Sequence, residues 1–233
     1  MSVLQIDLSQ RDSLSALVYN QVRDEIMNGL WKPGSRLTIR GQAERFNISS
    51  TPVREAMLQL ASEKALLLET RSFSIPILTE KEFLEIRKIR VALERLLVEE
   101  AITGPDRKLA EELFALHEKL IAAKAERDFR TVMIQNQRFH FQLYERANMP
   151  ETVAIVRSLW TRSGPYQHSL YLRHPPIEPE KHDHLRVCAA VRSGDAFAAA
   201  QAVVDDITLR GVRIQDQHYS TFYDALRPID PAQ

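Results

Sequence analysis

From Thr79 onward the sequence contains no segment that reads as a β-strand, and this excludes most architectures open to a chain of 233 residues. Apolar residues recur there at three- and four-residue spacing, the period of amphipathic helices, over about 80–102, 106–126, 129–147, 151–172, 180–193 and 195–220. The interruptions are turn chemistry: Gly104-Pro105, Asn148-Met149-Pro150, the proline-rich stretch 175–179 and Ser193-Gly194-Asp195. There is no internal repeat and no low-complexity segment. The spacing predicts a six-helix bundle rather than a solenoid.

The first third of the chain is different. Leu14, Leu17, Val18, Val22 and Ile26 predict a helix over 13–30 with Gly29 placed to end it, and Lys32-Pro33-Gly34-Ser35 is a turn. Thr38 can cap a short second helix through Phe46, after which Asn47 tolerates the positive φ of a tight turn and Ile48 packs beneath it. A third helix is expected to open at Thr51-Pro52, hydroxyl at the cap and proline at the first helical position, burying Val53, Ala56, Met57 and Leu60. After Ala65, LLLETRSFSIPIL changes period, with two apolar runs flanking Thr70-Arg71-Ser72 as in a hairpin. Three helices and a hairpin are the plan of a winged helix-turn-helix. The expected architecture is therefore mainly α, with a winged helix-turn-helix over 1–78 and an all-α helical domain over 79–233.

In such a module the later helix enters the major groove with its first turns against base edges and phosphates. That puts Ser49, Ser50, Thr51 and Arg54 at the DNA, with Gln59 further along. Hydroxyls beside free backbone N–H groups suit phosphate oxygens, and an arginine can fork onto guanine or clamp a phosphate. Arg40 and Arg45 on the preceding helix are placed to meet the flanking backbone. The formal net charge is zero, which speaks mildly against nucleic acid. Locally, Lys32 to Arg71 carries seven basic against four acidic side chains. Periodicity alone leaves open a second reading, a three-helix packing unit whose arginines face solvent.

The strings themselves decide more. VYNQVRDEIMNGLWKPGSRL followed by ISSTPVREAMLQL resembles the GntR family of bacterial regulators, through roughly residues 14–78. The resemblance implies DNA contacts at Arg40, Ser49, Thr51 and Arg54. Ser50 departs from the pattern, since relatives usually carry arginine there. Ala65 and Ser72 stand where relatives often carry glycine, the latter at the wing tip, which implies weaker binding or a shifted operator preference.

In the helical region, polar residues interrupt faces that should be apolar. Asn136 and His140 share a face with Val132, Phe139, Leu143 and Ala147. His184 lies with Val187, Cys188 and Val191, and Asp206 with Ala199, Ala202, Val203 and Leu209. An unpaired buried polar group costs a few kcal/mol and a lone carboxylate far more, so these side chains require partners. Two imidazoles and a carboxylate suit a divalent transition metal such as zinc, manganese or nickel. The residues also allow hydrogen-bonded core histidines, with Asp206 paired to an arginine. His182, beside His184, is expected to point to solvent.

NQRFHFQL and HDHLRVCAAVRSGDAFAAAQAVVDDI resemble the effector domain of the FadR branch of the same family, called FCD. Many members hold a metal there with an Asp and three His. The resemblance implies metal ligands at Asn136, His140, His184 and Asp206, with Asn in place of Asp at the first and Asp in place of His at the last. It further implies that Arg90 grips an effector carboxylate, where the residues alone equally allow a surface ion pair with Glu94. Arg162 and Tyr166, with Arg157, are further candidates to line an effector pocket.

The beginning of the chain lacks the pattern of a signal peptide, no apolar run approaches a bilayer span, and the single cysteine, Cys188, allows no intrachain disulfide. The expectation is a cytoplasmic protein without membrane contact. Its partners would be double-stranded operator DNA, a small-molecule effector, in particular a carboxylate, and a second copy of itself, because dimers read paired half-sites. An enzyme is the main alternative of another class, because a His/His/Asp metal with an open site can activate water. No recognisable general base stands near the proposed ligands, and a DNA-reading module argues against it. A purely structural dimer scaffold is the third reading.

Overall fold

The computed structural model describes the backbone of residues 11–173 and 182–215 and the side chains of 14–166 and 182–208. The first helix, α1 (Arg11–Met27), buries Leu14, Val18, Val22 and Ile26. Leu17, expected on that face, is 50% exposed. At 3.6 residues per turn it sits about 120° from the centre of the four-residue stripe.

A short strand β1 (Arg36–Leu37) follows, then α2 (Ile39–Phe46) and α3 (Ser50–Ser62). Thr38 accepts a hydrogen bond from the Gly41 N–H and caps α2, and Asn47 ends it at φ 55°. The cap of α3 is Ser49 rather than Thr51, so Pro52 falls at the third helical position. Proline is tolerated there because N–H groups of the first turn have no intrahelical acceptor. Strands β2 (Leu67–Leu68) and β3 (Phe73–Ser74) form the expected hairpin. β1, which the sequence reading did not foresee, pairs antiparallel with β3 and completes a three-stranded sheet in the order β1-β3-β2. Two residues carry too little alternation to be read as a strand. Val18, Val22, Ile26, Leu37, Val53, Met57, Leu60, Phe73 and Ile75 close one core.

The helical region comprises α4 (Glu80–Ala101), α5 (Arg107–Ala125), α6 (Phe129–Tyr144), a 3-10 turn (Glu145–Ala147), α7 (Pro150–Arg173), α8 (Asp183–Ser193) and α9 (Ala196–Gln215). Thr79 and Glu82 form a reciprocal capping box at the start of α4, and Asp106 and Asp128 cap α5 and α6. α5 packs on α6 and α8, and α9 packs on both α4 and α8. Their apolar faces close a second core around Leu97, Leu113, Phe139, Val156, Val187 and Val203. Gly194 ends α8 at φ 75°, and a Cβ there would lie 2.5 Å from the Pro105 nitrogen. Only glycine fits both the left-handed backbone and the close pass. The stretch 175–179, the side chain of Leu209 and the predicted helix end beyond 215 lie outside the described residues.

The N-terminal unit rests on the bundle through α1 and α7. At Gly164 the two backbones touch, since a Cβ would lie 2.3 Å from the Met27 carbonyl oxygen. Nearby, the Tyr166 hydroxyl donates to the Pro76 carbonyl at 3.0 Å and accepts from the Leu78 N–H at 2.5 Å. Its ring packs on Phe83, within a cluster that includes Leu78, Ile86 and Leu159. Tyr166 therefore clasps the connection into α4 to α7. Burial pushes its hydroxyl up to about 12, so it stays a neutral donor.

Candidate DNA-binding face and buried histidine cluster

Ser49, Ser50, Thr51 and Arg54 are all exposed around the start of α3. The Ser49 side chain makes no capping bond, so its hydroxyl is not used by the N–H groups of the first turn. Arg40 is exposed and pairs with Glu44 at 2.8 Å, one turn along α2, a contact weak enough for a phosphate to displace.

Arg45 is committed elsewhere. Both its terminal nitrogens bond to the Glu25 carboxylate of α1, and its guanidinium lies over the Phe46 ring at 5.0 Å. A phosphate contact would share it with a buried carboxylate, and the pair braces α2 on α1. Burial alone would raise the Glu25 carboxyl, but hydrogen bonds from Arg45, Gln21 and Trp31 hold it below the ordinary value.

At the wing, Ser72 has no positive φ and donates to Glu69, which also pairs with Arg36 of β1 at 2.7 Å. The hydrogen bond from Arg36, with others from Ser74 and Ser72, pulls the Glu69 carboxyl down to about 2. The wing turn thus needs no glycine at 72, and Arg71 is exposed at its tip.

Inside the bundle α6, α8 and α9 bring His140, His184 and Asp206 together, each nearly inaccessible. The Nε2 atoms of His140 and His184 are 3.3 Å apart, and Nε2 of His140 is 3.3 Å from Oδ2 of Asp206. Asn136, one turn before His140, is buried as expected. His140 Nδ1 lies 3.0 Å from the Tyr144 hydroxyl, and that hydroxyl donates to Glu94 at 2.5 Å.

This chain of bonds fixes the tautomer. Tyr144 has one proton and gives it to a carboxylate, so His140 must donate through Nδ1. In the neutral ring Nε2 is then bare, facing the Asp206 carboxylate and the second imidazole. The carboxylate and the second imidazole at that nitrogen are the donor types that hold a divalent ion. Orienting a ligand histidine through its far nitrogen is what metal sites commonly do. Two imidazoles and a carboxylate whose donor atoms lie within 4.8 Å of one another fit a divalent ion.

Arg90 is buried, not at the surface. Its Nε donates to Glu94 at 2.6 Å, its Nη1 to Ser163 at 3.4 Å, and its guanidinium lies 4.4 Å from the Trp160 ring centroid. Glu94 also accepts from the Trp160 indole at 3.0 Å. The ion pair that a surface reading would dismiss is therefore an interior one joined to the histidine cluster through Tyr144. Burial, then the Glu94 charge, pushes the Tyr144 hydroxyl well above its usual range. Two guanidinium nitrogens, Nη1 of Arg87 and Nε of Arg162, are buried with no hydrogen-bond partner among the described residues. Arg157 lies in a separate cleft of about 700 Å³ between α1 and α5–α7, shared with Asp24, Asn28, Arg130 and Arg138.

Sequence reasoning missed His117 and misplaced His182. His117 sits on the buried face of α5 with Leu113 and Leu120, and the test that singled out His140 would have found it. His182, expected in solvent, is 3% exposed: it is the cap of α8, and its Nδ1 accepts from the His184 N–H at 3.3 Å. A cap residue leaves the helical path, so helical phase does not predict where its side chain goes.

Residues 14–72 match the profile of the bacterial regulatory proteins of the gntR family, and residues 85–208 match the FCD domain. The chain is 32% identical over 211 residues to the HTH-type transcriptional regulator McbR of Escherichia coli, covering 89% of this chain and 95% of that one. The chain belongs to the GntR family. It falls in the FadR-like, FCD-containing branch and is a DNA-binding transcription regulator, not an enzyme. The solved structure of E. coli McbR/YncC superposes with a TM-score of 0.81 at 31% identity, covering 89% of this chain and 99% of that one. A GntR regulator from Rhodococcus sp. RHA1 shares the fold, with TM-score 0.69 at 22% identity over 88% and 99% of the two chains. The uncharacterized HTH-type regulator YdhC of Bacillus subtilis is 43% identical over 103 residues, 44% of this chain and 45% of its own. Among the described residues no helix is long and apolar enough to cross a membrane.

Proposed function

We propose that this GntR regulator works as a cytoplasmic homodimer whose affinity for operator DNA is set by a small organic acid bound beside a divalent metal ion in the FCD domain. The division of labour falls at residue 78, with DNA binding over 1–78 and effector binding and dimerisation over 79–233. Ser49, Ser50, Thr51 and Arg54 face the groove, and Arg40 holds the flanking phosphates, with Arg45 bracing α2 beneath them. His140, His184 and Asp206 hold the ion, with Asn136 at their side. When bound, zinc, manganese or nickel would supply open positions for a carboxylate.

The observation that carries this reading is His140 Nε2 lying 3.3 Å from both the Asp206 carboxylate and His184 Nε2, with its Nδ1 held at the Tyr144–Glu94 relay. A second anionic group of the effector is received by arginines of α4 and α7. Arg90 bonds Glu94 of that relay, and the buried, unbonded nitrogens of Arg87 and Arg162 are the kind of donor an anion satisfies. The test is DNA binding to the chain's own upstream region by anisotropy, before and after chelation and with a panel of small mono- and dicarboxylates. The expected result is a metal-dependent shift in operator affinity of about 5- to 150-fold for one acid. Indifference of the metal-loaded protein to every carboxylate would overturn the effector class.

A further inference from the structure

His117, His182 and His184 form a second cluster, which shares His184 with the first. All three are buried, at 4%, 3% and 0% exposure. They come from three places in the fold: the middle of α5, the cap of α8 and its second residue. The ring centroids are 5.2 Å apart for His117–His182, 4.4 Å for His182–His184 and 5.7 Å for His117–His184. Each offers a ring nitrogen, and these three nitrogens lie within 4.8 Å of one another. Imidazoles on one tetrahedral ion, each about 2.0–2.1 Å from it, bring their nitrogens to roughly 3.3 Å. Side-chain adjustments of under about an ångström close that difference, a small change for χ rotations within a rotamer well.

We propose that His117, His182 and His184 constitute an all-histidine metal site, separate from the carboxylate-containing set of His140, His184 and Asp206 and sharing His184 with it. His117 and His182 lie outside the four positions that the family resemblance marks as ligands. The ring of His184 is fixed for the purpose. It stacks on Phe139 at 3.8 Å with planes 4° apart, so its two nitrogens are held at the ring edge toward the neighbouring histidines. Three neutral imidazoles without a carboxylate favour borderline, nitrogen-preferring ions such as zinc, nickel or copper(II) over manganese or magnesium. The carboxylate set is less discriminating. The protein thereby holds two adjacent ligand sets of different softness hinged on one residue.

Separating the sets requires variants that keep the fold. His182→Asn retains a side chain that caps a helix well while removing the imidazole, and His117→Gln keeps polarity and bulk. Chelator-stripped full-length protein is titrated with zinc and with cobalt(II), following stoichiometry by elemental analysis and the cobalt absorption spectrum. Circular dichroism checks that each variant is folded. The double variant His140→Ala/Asp206→Asn is expected to keep one zinc per chain with a nitrogen-ligated cobalt spectrum, and adding His182→Asn should abolish it. In the otherwise native chain, His117→Gln and His182→Asn should each remove the all-nitrogen cobalt spectrum and leave only the ion held by His140, His184 and Asp206. If the His140/Asp206 double variant loses all zinc while His117→Gln and His182→Asn bind as the native chain does, the three-histidine site is overturned and the carboxylate site stands. If the native chain binds neither ion, both fall.

Discussion

Arg54 and Arg45 are both arginines on the DNA-reading unit, and what their guanidinium groups already hold separates their roles. Arg54 is exposed one turn into α3. Arg54→Ala should weaken operator binding by about 1–3 kcal/mol if the side chain reads a base, and lower affinity evenly for all sequences, with the salt slope falling by about one, if it meets only phosphate. Salt-dependent anisotropy on operator and random duplexes distinguishes the two, and unchanged binding to both removes Arg54 from the interface. Arg45→Ala acts first on stability, because it leaves the Glu25 carboxylate, 5% exposed, without its cation. The expected loss is about 1–3 kcal/mol in denaturant unfolding, held down by the partial solvation of Arg45. The same pair carries a pH signature. The folded Glu25 carboxyl sits below its ordinary value, so its contribution is complete above the unfolded carboxyl's value of about 4.3 and fades as pH falls through the folded one. Glu25→Gln should therefore unfold with a shallower acid dependence below about pH 4.3 than the native chain. A matching slope in the two proteins would show that other carboxyls dominate. Cys188 behaves in the opposite sense: burial pushes its thiol to about 11, so alkylation at pH 8 should be slow until the protein is unfolded.

At the scale of elements, the helices of both units were legible because each buries a stripe at helical period and ends on recognisable chemistry. Thr38 capping α2, Asn47 at positive φ and Gly194 closing α8 are local signals that survive packing. β1 and the true start of α3 were not legible, the first because two residues make no pattern, the second because two adjacent serines and a threonine compete for one cap. The site divides in the same way. His140, His184 and Asp206 could be read from polar residues on apolar faces. Glu94 and Tyr144 could not be placed in the site, since a glutamate four residues from an arginine reads as a surface pair and a tyrosine on a helix reads as core. Their role arises only when α4, α6 and α7 converge. It is testable through Tyr144→Phe, which removes the acceptor that fixes the His140 tautomer and a donor to buried Glu94. Metal affinity should fall about 10- to 100-fold with little change in operator binding by metal-free protein. Unaltered affinity would mean that Asp206 and His184 orient the ring unaided.

At the scale of the whole molecule, the question is how a signal in the bundle reaches α3. The Arg90–Glu94–Tyr144 network touches α7 at Ser163 and Trp160, and the next residue, Gly164, is where α7 meets the backbone of α1 at Met27. α1 in turn packs along α3 and holds Glu55 through Ser15 and Glu63 through Tyr19. One helix thus has the effector side on one flank and the DNA-binding unit on the other. Coupling needs a second arrangement of that contact, in which effector-bound and free protein differ in how α1 rests on α7. Gly164→Ala tests this directly. Its Cβ, 2.3 Å from the Met27 carbonyl oxygen, meets backbone rather than a side-chain end, so the two helices must part to admit it. If the contact transmits the signal, the variant stays folded and metal-binding but loses most of its effector response, its operator affinity fixed near one of the native limits. By reciprocity the operator should then no longer alter effector affinity. If the contact only holds the units together, the variant melts at lower temperature while effector still shifts operator affinity by the native factor. Anisotropy with and without effector, beside a thermal melt of the same preparation, separates transmission from support.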